Sequence, residues 1–340
     1  MQTVTLGKTG ITVNKNGFGA LPIQRVSMEE AKKILHRAFD GGIRFFDTAR
    51  AYSDSEEKLG AALSDVRSQI YISTKSAAKN ADEFNRDLEQ SLHNLRTDYV
   101  DIIQFHTPPF CPKPGGEDGL YDAALAAQKA GKVRFIGITN HRLAVAQEAV
   151  DSGLYATLQF PFSYLSSEKE HKLMESAVQA NMGFIAMKAL SGGLINNSAA
   201  AYAWMLHYPA VLPIWGIQRM SELEEFLSYM DAPPALTEEL QAVITKDRKE
   251  LAGNFCRGCG YCLPCPKEIN IPTCARMALF LGRAPVEANT TPEMQAEMAK
   301  IDECLHCNQC ASRCPYGLDT PKLLADNLTF YRNFLANYRP

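Results

Sequence analysis

Short apolar runs alternate with segments of helical periodicity along most of the chain. Candidate strands begin near Ile43, Ile70, Val100, Val133, Thr157, Gly183 and Val211, after an earlier one at Gly17-Phe18-Gly19-Ala20. From Ile43 onward the starts lie 24 to 33 residues apart, which is the spacing of successive strand–helix units. The pattern predicts eight such units over roughly 250 residues, an α/β fold of the TIM (β/α)8 barrel type.

Two local patterns precede and open the first unit. Residues 2–13 alternate in polarity around Gly7-Lys8-Thr9-Gly10 and predict an N-terminal β-hairpin. Ser27 with Glu30 forms a capping-box pattern that opens a helix, and Gly41-Gly42 ends it. A doubly wound sheet is the competing fold, but no Gly-x-Gly-x-x-Gly follows an early strand, which disfavours that fold.

Ionisable side chains stand at the ends of three consecutive candidate strands. Asp47 follows the run Ile43-Arg44-Phe45-Phe46, and Tyr52 comes five residues later. Lys75 ends the next strand, and His106 ends the one after it. In a parallel barrel the carboxyl ends of the strands meet at one rim, where active sites are built. Each residue alone has an ordinary structural explanation, but their arrangement predicts a shared site.

An acid, a phenol, an amine and an imidazole at one rim suggest proton transfer to a carbonyl oxygen. A phenol has an ordinary pKa of about 10, and a nearby ammonium group favours the phenolate and makes Tyr52 a better acid. Asp47 can neutralise a buried Lys75, and His106 can donate a hydrogen bond to the carbonyl oxygen. The matching hydride must come from a cofactor, because no side chain can donate one.

Composition restricts the partners of the chain. Its 340 residues carry a formal net charge of −3, so there is no general electrostatic case for binding nucleic acid or a membrane. No apolar segment is long enough to span a bilayer, and the N-terminus lacks a basic region followed by an apolar run. We therefore expect a cytoplasmic protein.

Cysteines form the strongest motif of the sequence. Nine of the ten lie beyond residue 255, where Pro and Gly also become frequent, and Cys111 stands alone. This change of composition predicts a barrel at 1–250 and a small helical domain at 251–340, with a helix at its end. The first run is Cys256-x2-Cys259-x2-Cys262-x2-Cys265-Pro266, and the second is Cys304-x2-Cys307-x2-Cys310-x3-Cys314-Pro315.

The second cysteine run has the spacing of bacterial two-cluster ferredoxins, and the first is one residue shorter before its fourth cysteine. In those ferredoxins the fourth cysteine of each run ligates the other cluster. The spacing therefore predicts one [4Fe–4S] cluster on Cys256, Cys259, Cys262 and Cys314. It predicts a second on Cys304, Cys307, Cys310 and Cys265.

Two structural zinc sites are the alternative interpretation of these runs. Zinc usually takes pairs of Cys-x2-Cys rather than triplets followed by Cys-Pro, which favours the iron–sulfur interpretation. Cys274 fits neither run. We expect Cys274 and Cys111 to be buried packing residues.

Several segments resemble the aldo-keto reductase superfamily, and the match extends through the whole barrel region. They are Gly42 to Ala49 with Tyr52, Ser73-Thr74-Lys75, Ser91 to Asp101 leading to His106, and Gly131 to Asn140. With its cysteine runs the chain is similar, from end to end, to a subfamily that carries a ferredoxin-type tail. The resemblance implies that Asp47, Tyr52, Lys75 and His106 form a catalytic tetrad with Tyr52 as the general acid.

The same resemblance implies a nicotinamide cofactor, NADP or NAD, bound without a Rossmann fold. Thr139, Asn140 and Gln159 would hold the carboxamide. The loops after strands seven and eight would hold the phosphates through Lys188, Ser191, Gly193, Gly216, Gln218 and Arg219. The chain departs from the family near the adenine, where Glu222 and Phe226 stand at positions usually occupied by Gln and Asn. Since Glu222 would oppose a 2′-phosphate near Arg219, the choice between NADP and NAD stays open.

Two functions are compatible with this sequence. The first is an NAD(P)-dependent oxidoreductase that reduces a small carbonyl compound or oxidises an alcohol. The second is an electron-transfer or redox-sensing protein that works with a ferredoxin or another electron carrier and uses the barrel as a binding scaffold. Clusters pass single electrons whereas nicotinamide exchanges hydride, so the clusters could be structural, relay electrons or serve another cofactor. Oxygen-sensitive clusters also suggest an anaerobic organism.

Overall fold

The computed structural model describes residues 2–251, 255–283 and 286–338. The chain divides into two compact units. The first comprises Met1–Ala189 and Asn197–Ile244, and the second comprises Leu190–Asn196 and Thr245–Pro340. The sequence domains at 1–250 and 251–340 remain a prediction.

Eight parallel strands of the described chain close into a barrel, which confirms the predicted fold. The strands are β3 (Gly17–Gly19), β4 (Phe45–Asp47), β5 (Tyr71–Ser76), β6 (Val100–His106), β7 (Val133–Thr139), β8 (Thr157–Pro161), β9 (Gly183–Met187) and β10 (Val211–Gly216). Each strand pairs with the next along the chain, and β10 closes the barrel against β3. Residues on both faces of these strands are mostly buried, as expected when side chains fill the barrel and helices cover it.

Helices follow the barrel strands in the order that the periodicity predicts. They are α1 (Met28–Asp40), α2 (Ser55–Leu63), α3 (Ala81–Leu95), α4 (Leu120–Lys129), α5 (Leu143–Ser152), α6 (Glu168–Gln179), α7 (Ser198–Met205), α8 (Met220–Asp231) and α9 (Glu238–Glu250). Helix α1 begins where Ser27 Oγ accepts a hydrogen bond from the Glu30 amide at 3.2 Å, and it ends at Gly41. Its apolar stripe is buried at Ala31, Ile34, Leu35 and Ala38.

The N-terminal hairpin is present as the alternating residues predict. Strand β1 (Thr3–Thr5) pairs antiparallel with β2 (Thr12–Asn14). Its apolar side chains share one buried cluster with side chains from the barrel strands. The members of that cluster are Val4, Leu6, Ile11, Val13, Phe45, Ile102, Ile185, Leu212 and Ile214. The hairpin therefore contributes to the core of the first unit instead of extending from it.

The second unit is helical in its described part. Its helices are α10 (Ile271–Cys274), α11 (Met277–Arg283), α12 (Val286–Asn289), α13 (Pro292–Ala299), α14 (Gln309–Ser312) and α15 (Thr320–Asn337). The last helix buries Leu324, Leu328 and Tyr331 against a small core that includes Ile269 and Met298. Cys274 is fully buried in this core, and Cys111 is buried in the first unit, as predicted for both.

A search of the described helices finds none that combines the length and the apolar character needed to cross a membrane.

Candidate active site

Strand register places the predicted catalytic residues side by side at the carboxyl rim of the barrel. Asp47, the last residue of β4, lies opposite Ser73 of β5. Lys75 of β5 lies opposite Gln104 of β6, and His106 at the end of β6 lies opposite Thr139. Adjacent parallel strands thus present these side chains at one end of the barrel, where loops can close over a substrate.

Lys75 and Asp47 form a buried ion pair. The Lys75 ammonium donates to Asp47 Oδ2 at 2.6 Å and to the Thr48 carbonyl oxygen at 2.5 Å. Their side chains are 1% and 3% exposed, so the charges can persist only because each neutralises the other. Burial raises the pKa of Asp47, and Lys75 opposes that rise. The pKa of Lys75 is raised although burial acts to lower it, because Asp47 and Tyr52 favour its charged form.

Tyr52 reaches the ion pair from the loop between β4 and α2. The Lys75 nitrogen lies 5.0 Å from the centre of the Tyr52 ring. The His106 ring meets the Tyr52 ring edge to face, with 5.8 Å between centroids. Burial raises the pKa of the Tyr52 phenol, and Lys75 acts in the opposite direction. Lys75 thus has the expected effect on the phenol, but burial outweighs it in the protein without substrate.

His106 is held in its neutral form. Burial, reinforced by the charge of Lys75, lowers the pKa of His106 to about 3. Its Nδ1 atom is buried and has no hydrogen-bond partner among the described residues. A neutral imidazole keeps one N–H donor and one acceptor, and an unpartnered nitrogen at the rim suits a polar ligand atom.

Gln104 joins the site, and the sequence analysis missed it. Its Nε2 donates to Ser73 Oγ at 2.8 Å and to Gln159 Oε1 at 2.7 Å, and it lies 3.4 Å from Asp47 Oδ1. The three glutamine and serine side chains are buried. Gln104 stands two residues before His106 on β6, so strand periodicity would have placed both side chains on the same face.

The residues predicted to hold the carboxamide lie at the same rim with protein partners of their own. Gln159 Nε2 lies 3.4 Å from Asp47 Oδ2, which ties it to the ion pair. Thr139 Oγ1 donates to Met187 Sδ at 3.8 Å. Asn140 donates to the Pro108 carbonyl oxygen at 2.8 Å and accepts from two backbone amides of its own loop. Asn140 therefore also shapes the turn between β7 and α5.

The first of the two loops predicted to hold phosphates is divided between the two units. Lys188 belongs to the first unit, whereas Ser191 and Gly193 belong to the second. Ser191, Gly192 and Gly193 have φ values of 50°, 67° and 90°, a left-handed run that needs glycine. Lys188 acts electrostatically on His141, a buried histidine that also neighbours His106 and that the sequence analysis did not select.

A carboxylate of the protein occupies the start of α8, after Gly216. Glu222 Oε2 accepts from the amides of Gln218 at 2.9 Å and Arg219 at 3.0 Å. The same carboxylate lies 3.6 Å from the Arg219 guanidinium group. Phe226 is buried one turn further, stacked on Trp215 with 4.6 Å between centroids. Both departures from the expected adenine-end residues thus have local structural roles.

Comparison with known proteins identifies the family of the barrel. Residues 15–200 match the model of the aldo/keto reductase family. The chain belongs to the aldo/keto reductase family. A 6-dehydroglucose reductase of Novosphingobium aromaticivorans is 26% identical over 269 residues, 65% of this chain and 87% of that protein. An L-galactose dehydrogenase of Arabidopsis thaliana is 30% identical over 56% of this chain and 66% of its own.

Solved structures share the fold of this aldo/keto reductase. An aldo-keto reductase from Klebsiella pneumoniae, determined in complex with NADPH, superposes with a TM-score of 0.61 at 21% identity. The match covers 72% of this chain and 94% of that chain. The family members named here are oxidoreductases, and this chain is an oxidoreductase of the same family.

The second unit of this aldo/keto reductase gathers its cysteines around two cavities. One is lined by Cys262, Cys265, Cys304, Cys307 and Cys310. The other is lined by Cys256, Cys259, Cys262 and Cys314. All eight thiols are free of disulfides. Cys262 lines both cavities, and the assignment of the cysteines to two ligand sets stays a prediction. The cavities and their thiols fit iron–sulfur clusters, which need a dry pocket and cysteine thiolates.

A second family model matches this region. Residues 255–319 match a 4Fe-4S dicluster domain. In the described residues no three His, Cys, Asp or Glu side chains are grouped tightly enough for a single metal ion. This aldo/keto reductase therefore carries an iron–sulfur domain after its barrel.

Proposed function

We propose that this protein transfers hydride between a nicotinamide cofactor and a small carbonyl or alcohol substrate, with Tyr52 as general acid and base. The buried pair of Lys75 and Asp47 against Tyr52 and His106 is the observation that carries the proposal. Burying the charges of Lys75 and Asp47 costs desolvation free energy even when they are paired. Their position beside the Tyr52 phenol therefore supports a catalytic role.

Tyr52 would give its phenolic proton to the oxygen of a bound carbonyl compound during reduction. The phenol is a weak acid in the protein without substrate, because burial raises its pKa. As the proton leaves, negative charge develops on the phenolate, whose ring centre lies 5.0 Å from the Lys75 nitrogen. Lys75 therefore stabilises the transition state more than the ground state, which is what catalysis requires.

His106 would orient the substrate without exchanging its own proton. With a pKa of about 3 it is neutral at working pH and can donate one hydrogen bond to the carbonyl oxygen. Gln104 would act behind the site by fixing Gln159 and Ser73, so it is a positioning residue. This arrangement resembles other sites in which neutral histidines polarise carbonyl groups.

NADPH or NADH would supply the hydride when bound at the rim. Thr139, Asn140 and Gln159 are the residues we assign to the carboxamide, and the loops at 188–193 and 216–219 to the phosphates. The unpartnered Nδ1 of His106 supports a polar ligand at this position. The complex of the Klebsiella pneumoniae relative with NADPH supports the choice of cofactor class.

The eight cysteines of the two runs would hold two [4Fe–4S] clusters, in the sets that line the two cavities. These clusters would supply one-electron steps, which hydride transfer does not need. We propose that the clusters exchange electrons with an external carrier such as a ferredoxin. The substrate class is a small carbonyl compound or hydroxy compound, and the sugar-converting enzymes among the relatives make aldoses the first probes to use.

An anaerobic titration tests this function. The holoprotein would be titrated with NADPH and NADH, with nicotinamide fluorescence reporting binding and cluster absorbance reporting reduction. Turnover with aldoses would then be compared between the unaltered chain and Tyr52→Phe. We expect Tyr52→Phe to bind nucleotide normally and to lose at least a hundredfold in kcat, the usual contribution of a general acid.

Tyr71→Phe is the matched control, because Tyr71 begins β5 at the opposite end of the barrel and should keep full activity. Equal turnover by the Tyr52→Phe variant and the unaltered chain would contradict the role of the phenol. Failure of both nucleotides to bind would contradict the reductase function.

A second function has one observation in its favour. The Glu222 carboxylate accepts hydrogen bonds from the backbone amides at the start of α8. The family is expected to hold the adenine end of the cofactor at this position. Weak nucleotide binding at this position would favour a ferredoxin-linked electron-transfer protein. Cluster reduction by a ferredoxin, with no change in nicotinamide fluorescence, is the outcome that would select this alternative.

A further inference from the structure

Arg276 lies between the two short helices α10 and α11 of the second unit and makes directed contacts on three sides. Its Nε donates to the Pro272 carbonyl oxygen at 2.7 Å, and its Nη1 donates to the Gly192 carbonyl oxygen at 2.9 Å. Its guanidinium carbon lies 4.7 Å from the centre of the Phe280 ring. These hydrogen-bond partners are neutral, and no ion pair of Arg276 with a carboxylate occurs among the described residues.

The fourth side of Arg276 faces the first cysteine run. A Cβ atom on Gly258 would lie 2.9 Å from the guanidinium carbon, so Arg276 packs directly against the backbone of Gly258. Gly258 has a φ of 62° and donates its amide to Cys256 Sγ at 3.4 Å. Burial lowers the pKa of Arg276, and its electrostatic interactions with Cys256 and Cys259 act in the opposite direction. The guanidinium group therefore lies against the loop that supplies two of the predicted ligands.

The loop Leu190–Asn196 contacts the same guanidinium group through Gly192, and both belong to the second unit. Gly192 stands between Ser191 and Gly193, the residues that we assign to the cofactor phosphates. Ser191, Gly192 and Gly193 all have left-handed backbone, and the Gly193 amide donates to the Leu190 carbonyl oxygen within the loop. Arg276 thus contacts the proposed phosphate loop at Gly192 and lies against the first cysteine run at Gly258.

We propose that Arg276 raises the reduction potential of the cluster on Cys256, Cys259, Cys262 and Cys314 and couples that potential to nucleotide binding at the loop Leu190–Asn196. This inference rests on the proposed function. Reduction adds one electron to the cluster and neither forms nor breaks a bond, so the product carries one more negative charge. A neighbouring guanidinium group, not neutralised by a carboxylate, stabilises that added charge.

Nucleotide binding should act in the opposite direction. Phosphates held by the loop bring negative charge to the Gly192 side of Arg276 and offset part of its effect on the cluster. The cluster potential should therefore fall when nucleotide binds. By linkage, cluster reduction should weaken nucleotide binding by the same factor.

Anaerobic potentiometry of the full-length holoprotein, followed by electron paramagnetic resonance, tests both parts. We expect Arg276→Gln to lower the equilibrium constant for one-electron reduction of one cluster about tenfold. This corresponds to a fall of about 59 mV in the reduction potential of that cluster. NADP+, which cannot donate electrons, should lower the potential of the unaltered protein and leave that of Arg276→Gln unchanged. Arg276→Lys keeps the charge but not the planar fork. The cluster potential of Arg276→Lys should stay close to that of the unaltered protein, but it should no longer change when NADP+ is added.

Arg332→Gln is the matched control, since Arg332 pairs with Asp302 on the exposed surface of the same unit. Iron content and nicotinamide fluorescence are measured on every variant. If the unaltered protein lacks iron or binds neither NADP+ nor NAD+, the proposed function fails and this inference with it; if only NAD+ binds, NAD+ replaces NADP+ in the potentiometry. If iron is bound, NADP+ binds, and Arg276→Gln has the potential of Arg332→Gln, only this inference is overturned.

Discussion

Asp47 and Lys75 hold opposite charges at the barrel rim with almost no exposure to solvent. Removing one partner of such a pair leaves the other charge buried, which commonly costs about 3–5 kcal/mol of stability. Hydrogen bonds from Lys75 to the Thr48 carbonyl oxygen and from Gln104 to Ser73 fix the geometry around the pair. The residues that we assign to the chemistry are therefore also residues on which the local fold depends.

His106 leads to a prediction about pH. Because burial lowers its pKa to about 3, the imidazole is already neutral well below pH 5 and stays neutral above it. The pH profile of kcat/KM should therefore show no inflection from His106 between about pH 5 and 8, although an unperturbed histidine titrates near 6.5. The pH profiles of the unaltered chain and of His106→Gln should have the same shape and differ only in the magnitude of kcat/KM. An inflection near pH 6.5 that disappears in His106→Gln would contradict this prediction.

Lys15 leads to a prediction about how the free energy of unfolding depends on pH. It is 2% exposed, and burial lowers its pKa to about 8, whereas an unfolded lysine titrates near 10.5. Between these values the unfolded chain binds more protons than the folded chain, so the free energy of unfolding should rise with pH. The gain from Lys15 alone is at most about 3 kcal/mol.

Urea denaturation at pH 8 and 10.5 measures this effect. The unaltered chain should gain stability relative to Lys15→Met over that range, and exposed Lys172→Met should behave like the unaltered chain. An identical pH dependence in Lys15→Met and the unaltered chain would show that Lys15 titrates normally.

Helix α8 carries a prediction at the scale of one element. Its first turn is capped by the carboxylate of Glu222, which accepts from two amides that would otherwise face an incoming anion. Glu222→Gln removes the negative charge beside Arg219 and should favour the cofactor that carries a 2′-phosphate. We expect the ratio of kcat/KM for NADPH to that for NADH to rise about tenfold, equivalent to about 1.4 kcal/mol.

The control for this change lies on the same helix. Glu224 pairs with Arg37 on an exposed surface, so Glu224→Gln removes the same charge without touching the amides of the first turn. An equal rise in both variants would mean that net charge, and not the capping carboxylate, decides the preference.

At the scale of the whole molecule, the two units differ in how much apolar core they have. The described part of the second unit contains a cluster of eleven buried residues, among them Cys274, Met298 and Tyr331. Small domains with so little core commonly depend on a metal centre for their stability. The eight cysteines border two cavities, so cluster loss would leave those cavities unfilled.

Cluster removal should therefore unfold the second unit selectively. After oxidation and chelation of the iron, we expect rapid proteolytic cleavage within residues 255–338 and a protected fragment that contains the barrel. Limited proteolysis with mass spectrometry, beside circular dichroism, measures both. Equal protection of the second unit with and without iron would contradict this dependence.

Much of this architecture was predictable because local sequence patterns specify it. Strand starts near Ile43, Ile70 and Val100 follow from apolar runs, and the capped helix after Ser27 follows from its first turn. The dicluster match at 255–319 is likewise visible in the cysteine spacing. Such features depend on residues close in sequence, whose spacing survives without any knowledge of the tertiary fold.

The sequence by itself determined the eight strand–helix units, the hairpin and the iron–sulfur domain, because periodicity and short motifs specify them. Only the tertiary structure decided that burial outweighs Lys75 at the Tyr52 phenol, that Gln104 joins Gln159, and that Glu222 fills the start of α8. These outcomes depend on distances and dielectric surroundings between residues far apart in the chain. A pattern of residue types predicts which groups can meet, and packing alone determines how strongly each acts on the others.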